Sequence, residues 1–242
     1  MKKDLVVYWA PDYTAEQQFD WNILYNNPVP VWSDIKNKIN KESDSPQMIV
    51  CPAVRDILEN TFSFSSSAAA DYTYDEKNKT FISRIKSYIG FDEARTPSLK
   101  NKLQITLSLS WIFFCEESLK VEITPPYFSE ADHLRYGSVV PGTFDIGKWF
   151  RPYLAEFVLK ENTKELVVKN DEPIIFVRFM TDKNIVLKRF VMDEKLKRIE
   201  RSCAASGNIF GRGFSLESRY NIFTKTNTNN KILKLIKDNV ID

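Results

Sequence analysis

The clearest pattern in this 242-residue chain is an alternation of apolar and polar residues from Leu103 to Leu109. An unbroken apolar run, from Trp111 to Cys115, follows it directly. Alternation with a period of two is typical of a β-strand with one face in water, and a continuous apolar run is typical of a strand buried on both faces. The sequence therefore predicts one long strand that begins at the surface and ends in the core.

Shorter segments of the same kind recur along the chain and are separated by turns rich in Pro, Asn and Asp. They predict strands over residues 4–9, 61–65, 119–124, 155–159, 163–168, 174–180 and 185–192, and a hairpin formed by 71–74 and 79–85. The aromatic segment 19–32 contains two prolines, which exclude a helix and favour an edge strand or a loop over the core. Residues 86–102 are predicted to be irregular.

Two short helices are predicted in the first half of the chain. Residues 33–42 form the first, with Ser33 as its N-cap. Pro52 fits the first turn of the second, which carries an apolar stripe that includes Ile57 and ends at Asn60.

Two amphipathic helices are predicted at the end of the chain. The first covers residues 193–205, with Asp193 as its N-cap and Gly207 as its stop, and the second covers 229–240. Short strands first and helices last predict a mainly β (α+β) class, a jelly-roll-like β-sandwich with a few peripheral helices. We predict a single β-rich domain over residues 1–242, with C-terminal helices from about residue 193.

Composition removes several classes of enzyme. The chain has one histidine, His133, so it cannot build a site that needs two or three imidazoles. His133 follows Glu130 and Asp132, and a carboxylate-supported general base is one interpretation of this segment. A surface histidine in a polar loop is the other interpretation, and the one we prefer, because no Ser or Cys nucleophile motif accompanies it.

The three cysteines, Cys51, Cys115 and Cys203, are odd in number, far apart and without a C-x-x-C motif. This pattern predicts buried, reduced thiols and an intracellular protein. The apolar run 5–10 is too short for a signal peptide, and no stretch is long enough to span a membrane.

The segment from Gly142 to Pro152, called here the corner, is the best candidate binding site. It brings together Asp145, Lys148, Trp149 and Arg151 at the end of a predicted strand. Exposed, the two cations would bind an anion while the indole stacks on a ring. In the structural alternative, Trp149 fills the core and Arg151 pairs with Asp145.

Charge is distributed unevenly along the chain. The net charge is +2, yet residues 183–242 carry 13 Lys and Arg against 6 Asp and Glu. The basic residues Lys197, Arg198 and Arg201 could contact a nucleic acid, although amphipathic helices of soluble domains commonly have such a solvated face. The Gly211-Arg212-Gly213 loop lacks P-loop spacing and is interpreted as a connector.

Two stretches carry a resemblance to known proteins. The segment from Cys51 to Thr61, Cys-Pro-Ala followed by Asn-Thr, resembles uncharacterised proteins of tailed marine phages. The stretch 139–179, with Trp149-Phe-Arg-Pro and Glu172-Pro-Ile, is similar to the same phage proteins and, more distantly, to jelly-roll families. The resemblance implies a β fold and a phage origin. Glu172-Pro-Ile also resembles trimeric dUTPases, but the uracil, Pro-Arg-Ser-Ser and Gly-rich closing motifs are absent, so no catalytic residue is carried over.

Together these observations predict a non-catalytic binding or assembly protein of phage origin, acting in the cytoplasm of the infected host cell. We predict no catalytic residue, no cofactor and no metal ligand, and a protein partner or self-association without a membrane. One alternative is a nucleotide- or phosphate-processing enzyme that uses Asp145, Lys148 and Arg151 with a magnesium ion. The other is a weak nucleic-acid binder that uses the basic C-terminal helices.

Overall fold

The computed structural model of the chain describes residues 2–13, 24–42, 51–86, 89–92, 102–209 and 225–241. In this part of the chain the strands are β1 (Asp4–Pro11), β2 (Val29–Pro30), β3 (Thr61–Ser65), β4 (Ala70–Asp75), β5 (Thr80–Ser83), β6 (Phe91–Asp92), β7 (Gln104–Cys115), β8 (Lys120–Thr124), β9 (Gly137–Val139), β10 (Gly142–Asp145), β11 (Pro152–Leu159), β12 (Glu165–Val168), β13 (Pro173–Phe179) and β14 (Asn184–Arg189). The helices are α1 (Val31–Glu42), α2 (Pro52–Leu58), α3 (Glu194–Ile209) and α4 (Thr228–Asp238), and a 3-10 turn spans Asp132–Arg135.

The strands form three sheets. The central sheet has the order β14-β1-β7-β11-β9, with β6 also paired to β7; the second sheet has the order β10-β8-β13-β3-β2; and the small sheet has the order β12-β4-β5. Most neighbouring strands are antiparallel, but β1 and β14 pair in parallel, with Val7 opposite Leu187. The long strand β7 lies in the middle of the central sheet. Its second half is apolar on both faces because Phe113 packs in one buried cluster and Phe114, on the opposite face, packs in another.

The main core lies between the central sheet on one side and the second and small sheets on the other. Aromatic rings meet there edge to face: the ring centroid of Phe64 lies 5.3 Å from that of Phe113 and 5.8 Å from that of Trp9. Each such contact adds about 0.5–1.5 kcal/mol to the burial of the rings. The predicted mainly β class, a β-sandwich with helices at its periphery, is confirmed.

Helices cover the outer faces of both large sheets. On the central sheet, Leu196 of α3 and Ile236 of α4 pack with Phe114 in a second cluster. On the second sheet, Val31 of α1 packs with Phe176 in a third cluster. The layers therefore follow the order helix, sheet, sheet, helix, and the two C-terminal helices form one outer layer, called here the helical layer.

The predicted strands and the predicted hairpin are confirmed, but three helix details are wrong. The first helix begins at Val31 and not at Ser33, because the buried side chain of Val31 anchors its first turn on the second sheet. The stripe of α2 excludes Ile57, whose side chain is exposed. Gly207 lies inside α3, which continues to Ile209.

The predicted 211–213 loop and much of the 19–32 and 86–102 segments lie outside the described residues. Among the described residues, no helix has both the length and the apolar character needed to cross a membrane.

Candidate functional site

The carboxylate of Asp145 organises the corner. One oxygen accepts hydrogen bonds from the backbone N–H groups of Leu119 (3.1 Å) and Gly147 (3.0 Å). The other accepts a hydrogen bond from the Ser118 hydroxyl and lies 3.2 Å from the Lys148 ammonium. Both oxygens are therefore already engaged in holding the turn between β10 and β11 to the start of β8.

These contacts favour the ionised form of Asp145. Burial alone would raise its pKa, but the hydrogen bonds from Ser118, Lys148 and Gly147 outweigh burial and hold the pKa below its ordinary value. A carboxylate with both oxygens engaged in this way has little capacity left to bind magnesium. Among the described residues, no group of three or more His, Cys, Asp or Glu side chains is placed to hold a metal ion.

The aromatic residues of the corner face inward. Trp149 is only 5% exposed and Phe150 is fully buried against Phe114, with ring centroids 5.9 Å apart. The Arg151 guanidinium lies 5.6 Å from the centroid of the Trp149 ring. Arg151 thus stacks on the indole, while Asp145 pairs with Lys148. The structure brings all four predicted residues together, and their role in binding a ligand stays a prediction.

The corner lies against the start of α4 and the second half of α3. The Asn229 side-chain amide at the start of α4 donates a 2.6 Å hydrogen bond to the Gly147 carbonyl. The thiol of Cys203 in α3 contacts the backbone of Phe150. At the opposite end of the helical layer, the Asn239 amide donates to the Asp193 carboxylate (3.3 Å). The two helices are therefore antiparallel neighbours, and the corner borders the layer they form.

The outer side of the helical layer is strongly basic. Seven of its side chains are exposed cations: Lys195, Arg198, Arg201, Lys225, Lys231, Lys234 and Lys237. Its exposed acids in the described ranges 194–203 and 225–238 are Glu194 and Asp238. Of these cations, only Lys237 lies within ion-pair distance of a carboxylate in the described part of the chain. Lys225 precedes α4, and we call the remaining five cations, which lie within the two helices, the basic face: Lys195, Arg198, Arg201, Lys231 and Lys234.

Lys197 does not belong to this surface, which corrects the sequence interpretation. Its ammonium lies 2.6 Å from the Asp12 carboxylate at the end of β1 and 3.1 Å from the Glu200 carboxylate. All three side chains are at least 86% buried. A lysine held between two carboxylates under a helix fixes that helix to the sheet, and its charge is not available to a partner.

This buried cluster predicts a pH effect on stability. Burial raises the pKa of Asp12 to about 6, against the attraction of Lys197, which lowers it. The folded protein therefore holds a proton on Asp12 more tightly than the unfolded chain does. The free energy of unfolding that this proton contributes is fully present below pH 4 and is lost as the pH rises through 6. We expect Asp12→Asn to remove this loss, so that the variant gains about 2 kcal/mol relative to the parent between pH 4 and pH 7. Urea unfolding of both proteins at several pH values measures the difference, and parallel pH profiles would contradict the assignment.

His133 is buried, so the prediction of a surface histidine is wrong. Its side chain is 0% exposed, and its ring lies edge to face with Phe157, with centroids 5.3 Å apart. Its Nδ1 lies 3.0 Å from the carboxylate of Glu172. Because a carboxylate only accepts hydrogen bonds, Nδ1 carries the proton. Nε2 has no hydrogen-bond partner in the described part of the structure. The hydrogen bond to Glu172 therefore fixes the orientation of the ring in the core.

The cysteines differ in exposure. Cys115 and Cys203 are buried as predicted, whereas Cys51 is exposed, which corrects the prediction for that residue. Burial raises the pKa of Cys115 and of Cys203 to about 11, so both are protonated at neutral pH.

We expect a thiol reagent such as Ellman's reagent to modify Cys51 rapidly in the native protein at pH 8. Cys115 and Cys203 should react only after denaturation, because they are protonated and inaccessible. The Cys51→Ser variant should lose the rapid phase. A second thiol that reacts at the same rate in that variant would show that one of the two is accessible.

Comparison of the chain with protein-family models, curated proteins and solved structures finds no significant match. The site is therefore interpreted from its geometry alone. The phage resemblance stays a prediction.

Sequence reasoning missed two features of the described structure. One is the buried cluster of Asp12, Lys197 and Glu200, whose members are separated by up to 188 residues. The other is a cleft between α1, α2 and the start of β14, lined in part by Lys2 and Arg55. Neither forms a sequence motif, because each is assembled from segments that are distant in the chain.

Proposed function

We propose that the protein is a non-catalytic binding protein and that its basic face holds a nucleic acid by the phosphate backbone. The observation that supports this is the separation of charge in the helical layer: the cation with buried carboxylate partners points inward, and five cations without such partners point outward. This replaces the sequence-based preference for a protein partner.

The spacing of the basic face suits a phosphate backbone. Lys195, Arg198 and Arg201 are three residues apart along α3, so they follow one side of the helix over about 9 Å. Lys231 and Lys234 repeat this spacing on the neighbouring helix. Duplex DNA carries about one negative charge per 1.7 Å of its axis, so a patch of this size faces several phosphates at once.

The aromatic residues favour backbone contacts over base stacking. Single-strand binding proteins stack bases on exposed rings. In the part of the chain that the structure describes, the rings of the corner beside the helical layer, Trp149 and Phe150, are buried instead. We therefore expect sequence-independent binding with no preference for single strands, and a strong dependence on salt. If the protein is of phage origin, this binding would take place in the cytoplasm of the infected cell.

The test is fluorescence anisotropy with a labelled DNA duplex at low salt. The variant Lys195→Ala/Arg198→Ala/Arg201→Ala removes three charges from the basic face. The control variant Lys77→Ala/Lys86→Ala/Lys160→Ala removes three exposed lysines from turns and loops outside the helical layer, so the net charge of the two variants is the same.

We expect the first variant to bind about 30-fold more weakly and the slope of log K against log salt to fall by about 2 to 3, since each phosphate contact contributes about 0.9 to that slope. The control should change affinity less than about 3-fold, because distant charges are screened. Equal losses in both variants, or no binding by the parent at low salt, would refute the proposal.

A further inference from the structure

A cleft of about 260 Å³ opens at one side of the sandwich, beside α1 and α2. These two helices lie on the second sheet, whereas the basic face lies on the helices that cover the central sheet. Here β14 is the edge strand of the central sheet and β2 is the edge strand of the second sheet. β2 is only two residues long and pairs with Ser63 and Phe62 alone, so it does not extend to Thr61 at the start of β3. The polar and aromatic residues that line the cleft include Lys2, Trp32, Ser33, Arg55, Asn60 and Phe62.

Among the described residues that line the cleft, one of the two cations has no carboxylate partner. Lys2 forms an ion pair with Glu59, and both residues line the cleft. Arg55, in the last turn of α2, is exposed and has no carboxylate within ion-pair distance in the described part of the chain. Its guanidinium is therefore available to an anion, and its planar fork matches a carboxylate or phosphate.

Aromatic and aliphatic side chains form part of the lining. Trp32 and Phe62 are half-buried, so part of each ring remains accessible. Leu58 and Ile185 also line the cleft, and both are buried. A ring inserted here would contact aromatic faces while its charged group remained within the reach of Arg55.

From these observations we infer that the cleft binds a small organic anion made of a flat ring and a phosphate or carboxylate group. Ligand pockets commonly enclose about 300–1,000 Å³, and a cleft of about 260 Å³ lies just below this range, so it suits a molecule no larger than a mononucleotide. The site shares no residue with the basic face, so the inference does not depend on the proposed function.

The experiment uses ¹⁹F NMR of the full chain labelled with 5-fluorotryptophan. Trp32→Phe identifies the Trp32 signal among the five tryptophans. The probes are adenosine monophosphate and adenosine, which share the ring and differ in the phosphate. We expect adenosine monophosphate to shift the Trp32 signal in a saturable manner. Arg55→Gln should weaken this binding about 10-fold, while Lys77→Gln, on a distant hairpin, should leave it unchanged.

The outcomes separate this site from the basic face. The triple variant Lys195→Ala/Arg198→Ala/Arg201→Ala should bind adenosine monophosphate at Trp32 as the parent does, even if it no longer binds DNA. Two results would overturn the inference: a Trp32 signal that does not move at millimolar adenosine monophosphate, or an Arg55→Gln variant that binds it as tightly as the parent does.

Discussion

Gly147→Ala is expected to destabilise the protein by at least about 3 kcal/mol. A Cβ atom at position 147 would overlap the carbonyl oxygen of Glu117 and the Cα of Ser118, both of which are backbone atoms that cannot rotate away. The same residue donates its N–H to Asp145 and accepts the hydrogen bond from Asn229. Any shift that relieves the overlap therefore also loosens the corner and the start of α4.

Gly142→Ala is the matched control, since it makes the same chemical change five residues earlier in the same corner. No heavy atom lies within 4 Å of a Cβ atom at position 142. We expect its free energy of unfolding to remain within about 0.5 kcal/mol of the parent value. Urea unfolding followed by circular dichroism measures both variants. If both variants unfold at the same urea concentration, the corner does not lie as close to the β7–β8 turn as the structure shows.

Glu172→Ala is the second large effect, with an expected loss of about 3 kcal/mol. The buried carboxylate accepts the backbone N–H of Asp132 at 2.8 Å and the Nδ1–H of His133 at 3.0 Å. Alanine leaves both donors buried without an acceptor. The cost is large because each donor gave up its hydrogen bond to water on folding, and without Glu172 it has no hydrogen bond in its place.

Glu172→Gln distinguishes this hydrogen bonding from simple loss of volume. Glutamine fills the same space but has one acceptor oxygen, so it can serve one of the two donors and must turn its amide group toward the other. We expect about half the loss seen with alanine. A glutamine variant as stable as the parent would show that the second hydrogen bond contributes nothing.

The strands were predictable because their signal is local. Alternation in β7 and the continuous apolar run at its end describe which faces are covered, and the structure covers them in that way. The hairpin of β4 and β5 was predictable for a similar reason. The side chain of Asp75 accepts the backbone N–H of Lys77 at 2.9 Å, an interaction confined to the turn itself.

The environments of single polar residues were not predictable, because their partners are distant in the chain. His133 follows an acidic segment, which indicates a surface, yet its partner is Glu172, 39 residues later. The spacing of the basic residues places Lys197 on the exposed side of its helix, but its ammonium binds the carboxylate of Asp12, 185 residues earlier, in the interior. In the corner, the structural alternative paired Arg151 with Asp145. The tight turn at Gly147 places Lys148 there instead.

Lysine footprinting tests the central claim, that the basic face is the binding surface, most directly. The protein is acetylated with and without duplex DNA at low salt, and modification of each lysine is measured by mass spectrometry. We predict that DNA protects Lys195, Lys231 and Lys234 and leaves Lys77, Lys86 and Lys160 as reactive as before. Uniform protection of all six lysines, or protection of the second set alone, would contradict the account.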